Sequence, residues 1–175
     1  HMVETPGKTF QSACTVGRYS STSGATACLR ASPGYYVDTA SATGQTPCPP
    51  GRYSSNEGSV SCSSTSPGQY TSANASTHPE ICEPGSYQPD SAGTSCILSP
   101  AGFYVSSAGS TSFQPCLSGK YQPLEGSIGC EVAQPGYYTS GVGSVDAIAC
   151  EPGTYQPNSG ADMCLSAIPG TYVSN

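Results

Sequence analysis

Ten cysteines stand at positions 14, 28, 48, 62, 82, 96, 116, 130, 150 and 164, so their separations alternate between 14 and 20 residues. Two chemistries are open to thiols so placed. Structural zinc takes ligands two to four residues apart, so that one knuckle supplies two of them. The closest pair here is 14 apart, and no metal site is expected. Disulfide formation is left, and with it an oxidising compartment. Other reactive groups are sparse. Outside the first residue the only histidine is His78, beside Pro79, with no second histidine to activate a nucleophile. Serine is abundant, yet no Gly-x-Ser-x-Gly elbow occurs. Acidic residues number 11 and are scattered, with Glu83 and Glu151 beside Pro-Gly corners as the one recurring placement. No catalytic residue and no cofactor are assigned, and the chain reads as a non-enzyme. Asn74-Ala75-Ser76 is an acceptor sequence for N-glycosylation, with Asn74 as the candidate site.

The elements that must position these groups follow from an internal repeat. Gly17, Gly34, Gly51, Gly68, Gly85, Gly102, Gly119, Gly136, Gly153 and Gly170 are each 17 residues apart. Two places after each comes a tyrosine: Tyr19, Tyr36, Tyr53, Tyr70, Tyr87, Tyr104, Tyr121, Tyr138, Tyr155 and Tyr172. Cysteines run at twice that period, flanking the glycine in odd repeats and missing from even ones, where Ala31 with Gln45, or Ser99 with Phe113, take their places. Two positions that come and go together are the two ends of one bond. The pairs are then Cys14 with Cys28, Cys48 with Cys62, Cys82 with Cys96, Cys116 with Cys130, and Cys150 with Cys164. A closed loop of this length contributes about 3 kcal/mol.

Some such staple is needed. Leu, Ile, Val and Phe total 22 of 175 residues and Trp is absent, whereas Ser and Thr number 46, with 21 Gly and 16 Pro. No ordinary core can be built from that. Within a repeat the signals are strand and turn, since no window shows apolar residues at helical spacing. Proline at 89, 123 and 157 confines those stretches to edges or turns. The fold class is therefore an all-β, disulfide-rich tandem-repeat rod of ten 17-residue hairpin-like units, a 34-residue double repeat with little or no helix, either solenoid-like or a linear array. Residues 1–2 read as an expression-tag scar, 3–13 as a lead-in, and 14–175 as five double units with the last truncated, in a segment of a longer protein. The ten tyrosines are assigned to packing between units. Tyr35, Phe103 and Tyr137, between glycine and tyrosine in even repeats, stand in for the missing disulfide and are the candidate binding residues.

The run Cys-x-x-Gly-x-Tyr-x-x-x-x-Gly-x-x-x-Cys, at Cys14 to Cys28, Cys48 to Cys62 and Cys150 to Cys164, resembles the ephrin-receptor-like cysteine-rich repeats of extracellular proteins. Those in turn look like the first loop of tumour-necrosis-factor-receptor modules. The resemblance implies an extracellular, disulfide-bonded, mostly β array, used as a stalk in some proteins and for binding in others. Here the family's Cys-x-x-Cys junction keeps only its first cysteine, as in Cys28-Leu29-Arg30-Ala31. The functional expectation is a stalk, spacer or fibre-building segment at the cell surface. The alternative is a multivalent module that recognises glycans or cell-surface proteins through repeated aromatic faces. With 5 Lys and Arg and a net charge of −6, the chain has no nucleic-acid face and no segment for membrane insertion. Self-association into fibres is compatible with this surface.

Overall fold

A computed structural model describes residues 12–173. The scar at 1–2 and most of the 3–13 lead-in lie outside the described residues. Among those described there are eighteen two-residue strands and no helix. The strands pair as nine antiparallel hairpins, beginning with β1 (Arg18–Tyr19) and β2 (Leu29–Arg30), where Arg18 faces Arg30 and Tyr19 faces Leu29. The tenth repeat contributes its corner alone, closed by the Thr171 amide on the Ile168 carbonyl. The hairpins fall in two compact units, one drawn from His1–Ser63 and Ala73–His78, the other from Ser64–Ser72 and Pro79–Asn175. The same bonding rules operate inside each.

Every hairpin is entered through a tight corner. In Ser32-Pro33-Gly34-Tyr35 the proline pre-sets one turn position, Gly34 takes φ 84°, and the Tyr35 amide donates to the Ser32 carbonyl at 3.0 Å. This is a type II turn, whose third residue must be left-handed, which explains the recurrence of Pro-Gly. The far end of the hairpin turns through a second left-handed residue seven places on. Glycine fills that place in six repeats, while Ser41, Ala75 and Ala92 hold it at φ 60°, 59° and 58°.

Between these turns the backbone is bonded to the next repeat. In the first unit the Gly17 amide donates to Val37 O at 2.8 Å, Ser20 N to Ala42 O at 3.0 Å, and Ser41 N to Cys14 O at 2.8 Å. In the second unit the same three bonds recur as Gly102 N to Gln122 O, Val105 N to Ser127 O, and Gly126 N to Ser99 O, at 2.7, 2.9 and 2.8 Å. A fourth links Cys116 N to Gly102 O at 2.9 Å. Inside each unit the repeats are therefore a continuous solenoid and not loops strung in line. A second contact skips one repeat: a β-carbon added to Gly102 would strike the carbonyl oxygen of Gly143, and one added to Gly34 that of Ala75. Odd repeats thus neighbour odd ones at this contact, and even repeats even ones.

Backbones that approach so closely leave room for small side chains only. The residue three before each corner glycine is buried as Cys14, Ala31, Cys48, Thr65, Cys82, Ser99, Cys116 and Ala133. Three places after the glycine the buried series is Val37, Ser54, Thr71, Gln88, Val105, Gln122, Thr139 and Gln156. The tyrosines stand beside this line, half-buried from Tyr19 to Tyr138. The interior is thus hydrogen-bonded backbone packed with small and β-branched groups and, in three repeats, a glutamine.

Gly102 to Ala should destabilise the array by about 3 kcal/mol or more, because left-handed strain adds to a backbone collision. Gly24 to Ala, at φ 74° but with open space around it, should cost only about 1 kcal/mol. Thermal or denaturant unfolding of the two variants checks the ranking.

Candidate functional site

The disulfides join the residue three before the corner glycine to the one eleven after it. All five are formed, each with a sequence separation of 14. No described cysteine is free. The Cα–Cα distances are 5.7 Å in four and 5.8 Å in that of Cys150, within the ordinary range. Cys14, Cys48, Cys82 and Cys116 lie in the buried line, while Cys28, Cys62, Cys96 and Cys130 are half-buried. Each of these four bridges anchors the mouth of a loop to the core, while both cysteines of the fifth, Cys150 and Cys164, are half-buried.

Two of the even repeats close the same gap by other means. In the Gly34 repeat Gln45 Oε1 accepts the Ser32 amide at 2.7 Å. In the Gly102 repeat Phe113 occupies the cysteine place and meets Phe103 edge-on at 4.9 Å, and Tyr87 of the preceding repeat at 5.2 Å. Phe103 also lines the space beside Gly143, two repeats on. Of the three candidate binding residues, Tyr35 and Phe103 are half-buried and Tyr137 is 45 % exposed.

Sequence reasoning missed a second fastening. In three odd repeats a buried glutamine reaches across its own loop. Gln88 Nε2 donates to Ser95 O at 2.7 Å while Oε1 accepts the Asp90 amide at 3.0 Å. Gln122 spans Gly129 O and the Leu124 amide, and Gln156 spans Met163 O and the Asn158 amide, at 2.8 to 3.1 Å. Gly93 is part of this arrangement, since a β-carbon there would press on the Gln88 side chain at 2.7 Å. Its signal in the sequence is the triplet Tyr-Gln-Pro at 87–89, 121–123 and 155–157. The Gly17 and Gly51 repeats use shorter ties, with Ser20 Oγ donating to Thr22 O and Ser54 Oγ to Ser59 Oγ.

Across the strands, Tyr70 Oη donates to Glu80 Oε2 at 2.7 Å. That bond, reinforced by the carboxylate charge, raises the Tyr70 pKa above 10.0. Hydrogen bonding to Glu131 raises that of Tyr121 in the same way. Both pairs favour the neutral phenol. Tyr155 and Tyr172 are exposed at 38 % and 89 %. They line a cavity of about 630 Å³ with Gly136, Gln156 and Ile168. His78 is exposed, with Nδ1 3.0 Å from Thr77 Oγ1. Asn74 is exposed at a hairpin tip. Among the described residues no three His, Cys, Asp or Glu gather as metal ligands, and no helix is long and apolar enough to cross a membrane.

No family model matches the chain, and no curated protein is similar to it. The chemistry the arrangement offers is the closing of each loop on itself, by a disulfide in odd repeats with a glutamine tie in three of them.

Replacing Gln122 by Ala strands the Gly129 carbonyl and the Leu124 amide and opens space inside the loop. A loss of about 2 kcal/mol is expected on chemical unfolding. Leu at this position, which restores volume but not the bonds, should recover only part of it.

Proposed function

We propose that this chain is a structural segment of a secreted or cell-surface protein, a spacer or fibre-building array that sets a distance. One observation carries the reading. The bonds that join each repeat to the next are the same backbone bonds throughout each unit, whether or not the repeat holds a disulfide, so a double repeat can be added without altering any other. A nearest-neighbour array of this kind transmits position. Five disulfides support an oxidising, extracellular setting. The resemblance of the Cys-x-x-Gly-x-Tyr run to ephrin-receptor-like repeats agrees with that setting. A surface rich in Ser and Thr and poor in charge keeps such a segment hydrated.

The multivalent binding reading has less support, because Phe103 is engaged by Phe113 and Tyr35 is half-buried. Of its three residues Tyr137 alone offers an exposed ring.

Small-angle scattering of the chain and of a version lengthened by one 34-residue double repeat tests the spacer reading. A fixed increase in maximum dimension with unchanged cross-section is the expected result. An unchanged maximum dimension would contradict it. Glycan-array binding abolished by joint alanine substitution of Tyr35, Phe103 and Tyr137 in a folded protein would favour binding over spacing.

A further inference from the structure

The tip of the Gly68 repeat differs from its neighbours in one chemical respect. Its Ser76 Oγ donates to Ala73 O at 2.9 Å, as Ser59 does to Asn56, Ser110 to Ser107, Ser127 to Leu124 and Ser144 to Gly141. The hydroxyl therefore has a structural use in five repeats. Two residues before it, the other tips carry Glu57, Ala108, Glu125 and Val142, and this one carries Asn74. The residue between, Ala75, is left-handed at φ 59°, its amide held by Cys48 O at 2.8 Å, and Ser76 O accepts the Ser54 amide at 3.1 Å. The tip backbone is pinned on its inner side while Asn74 is exposed.

We propose that Asn74 is an N-glycosylation site, so that this one repeat carries a glycan on its outward tip; the inference rests on the extracellular reading above. The donor is an oligosaccharide linked through pyrophosphate to a polyprenyl lipid. Asn74 Nδ2 forms a bond to the anomeric carbon as the bond from that carbon to the pyrophosphate oxygen breaks. The amide proton goes to a base of the transferase, and the lipid pyrophosphate leaves. Ser76 Oγ is available to the transferase only before the tip closes, so transfer belongs to the nascent chain. Once the hairpin forms, the glycan projects from an exposed side chain and leaves every backbone bond of the tip intact.

The test is expression of the full chain behind a secretion signal in a eukaryotic host, with peptide mass mapping. An endoglycosidase-sensitive mass increment on the Asn74 peptide is expected. It should vanish in Asn74→Gln, persist in Ser76→Thr, and accompany five closed disulfides. A secreted chain with all five disulfides and an unmodified Asn74 overturns the proposal while leaving the extracellular reading standing. Free thiols in the chain recovered from the secretory route would overturn that reading instead. The disulfide-closed, refolded chain offered to microsomes should be modified at least tenfold less than the nascent chain, and equal modification would overturn the order of events.

Discussion

Close approach of one backbone to the next is the constraint on which the remaining structure depends. Within each unit four backbone hydrogen bonds recur at a step of 17 residues, and they require the hairpins to lie nearly in contact. At about 1 kcal/mol net each, the eight bonds of a double repeat outweigh the about 3 kcal/mol of its one disulfide. Small side chains in the buried line are a consequence of that proximity. So is the corner glycine, where a β-carbon would occupy the place of another repeat's carbonyl oxygen.

Loop closure is a separate matter, solved differently in the two kinds of repeat. Odd repeats use a disulfide, aided in three of them by the glutamine that spans the loop. Even repeats place Val or Thr at the glutamine position, and two of them close the mouth otherwise, the Gly34 repeat with Gln45 and the Gly102 repeat with the Phe103–Phe113 pair. The alternation is compatible with the geometry, because odd repeats meet odd ones and even meet even ones at the corner-to-tip contact. Each kind can then vary its own fastening without disturbing the ladder.

Much of this was legible in the sequence. The 17-residue spacing of Gly and Tyr gave the unit, the paired loss of cysteines gave the disulfides, and Pro-Gly gave the corner. The interior was less visible. The ten repeat tyrosines are among the largest side chains available, and area arguments assign them the packing, yet the eight from Tyr19 to Tyr138 are half-buried beside a line headed by Val105, Thr65 and Thr139, while Tyr155 and Tyr172 are exposed. Burial by volume misleads where hydrogen-bonded backbone is itself the interior. The glutamine ties were concealed for a related reason, since Gln is read as a surface residue until its amide is seen to match one carbonyl and one N–H in its own loop. Solenoid and linear array could not be separated by spacing, because both repeat every 17 residues and only the bonds between repeats distinguish them.

Native-state hydrogen exchange on the oxidised protein tests the primacy of the backbone ladder most directly. The amides of Gly102 and Val105, in a repeat without a disulfide, should be protected to within about tenfold of those of Gly85 and Gln88, in a repeat that has one. Exchange of Gly102 and Val105 at the rate of an unstructured chain, with Gly85 and Gln88 still protected, would show that the disulfides hold the loops and the ladder does not.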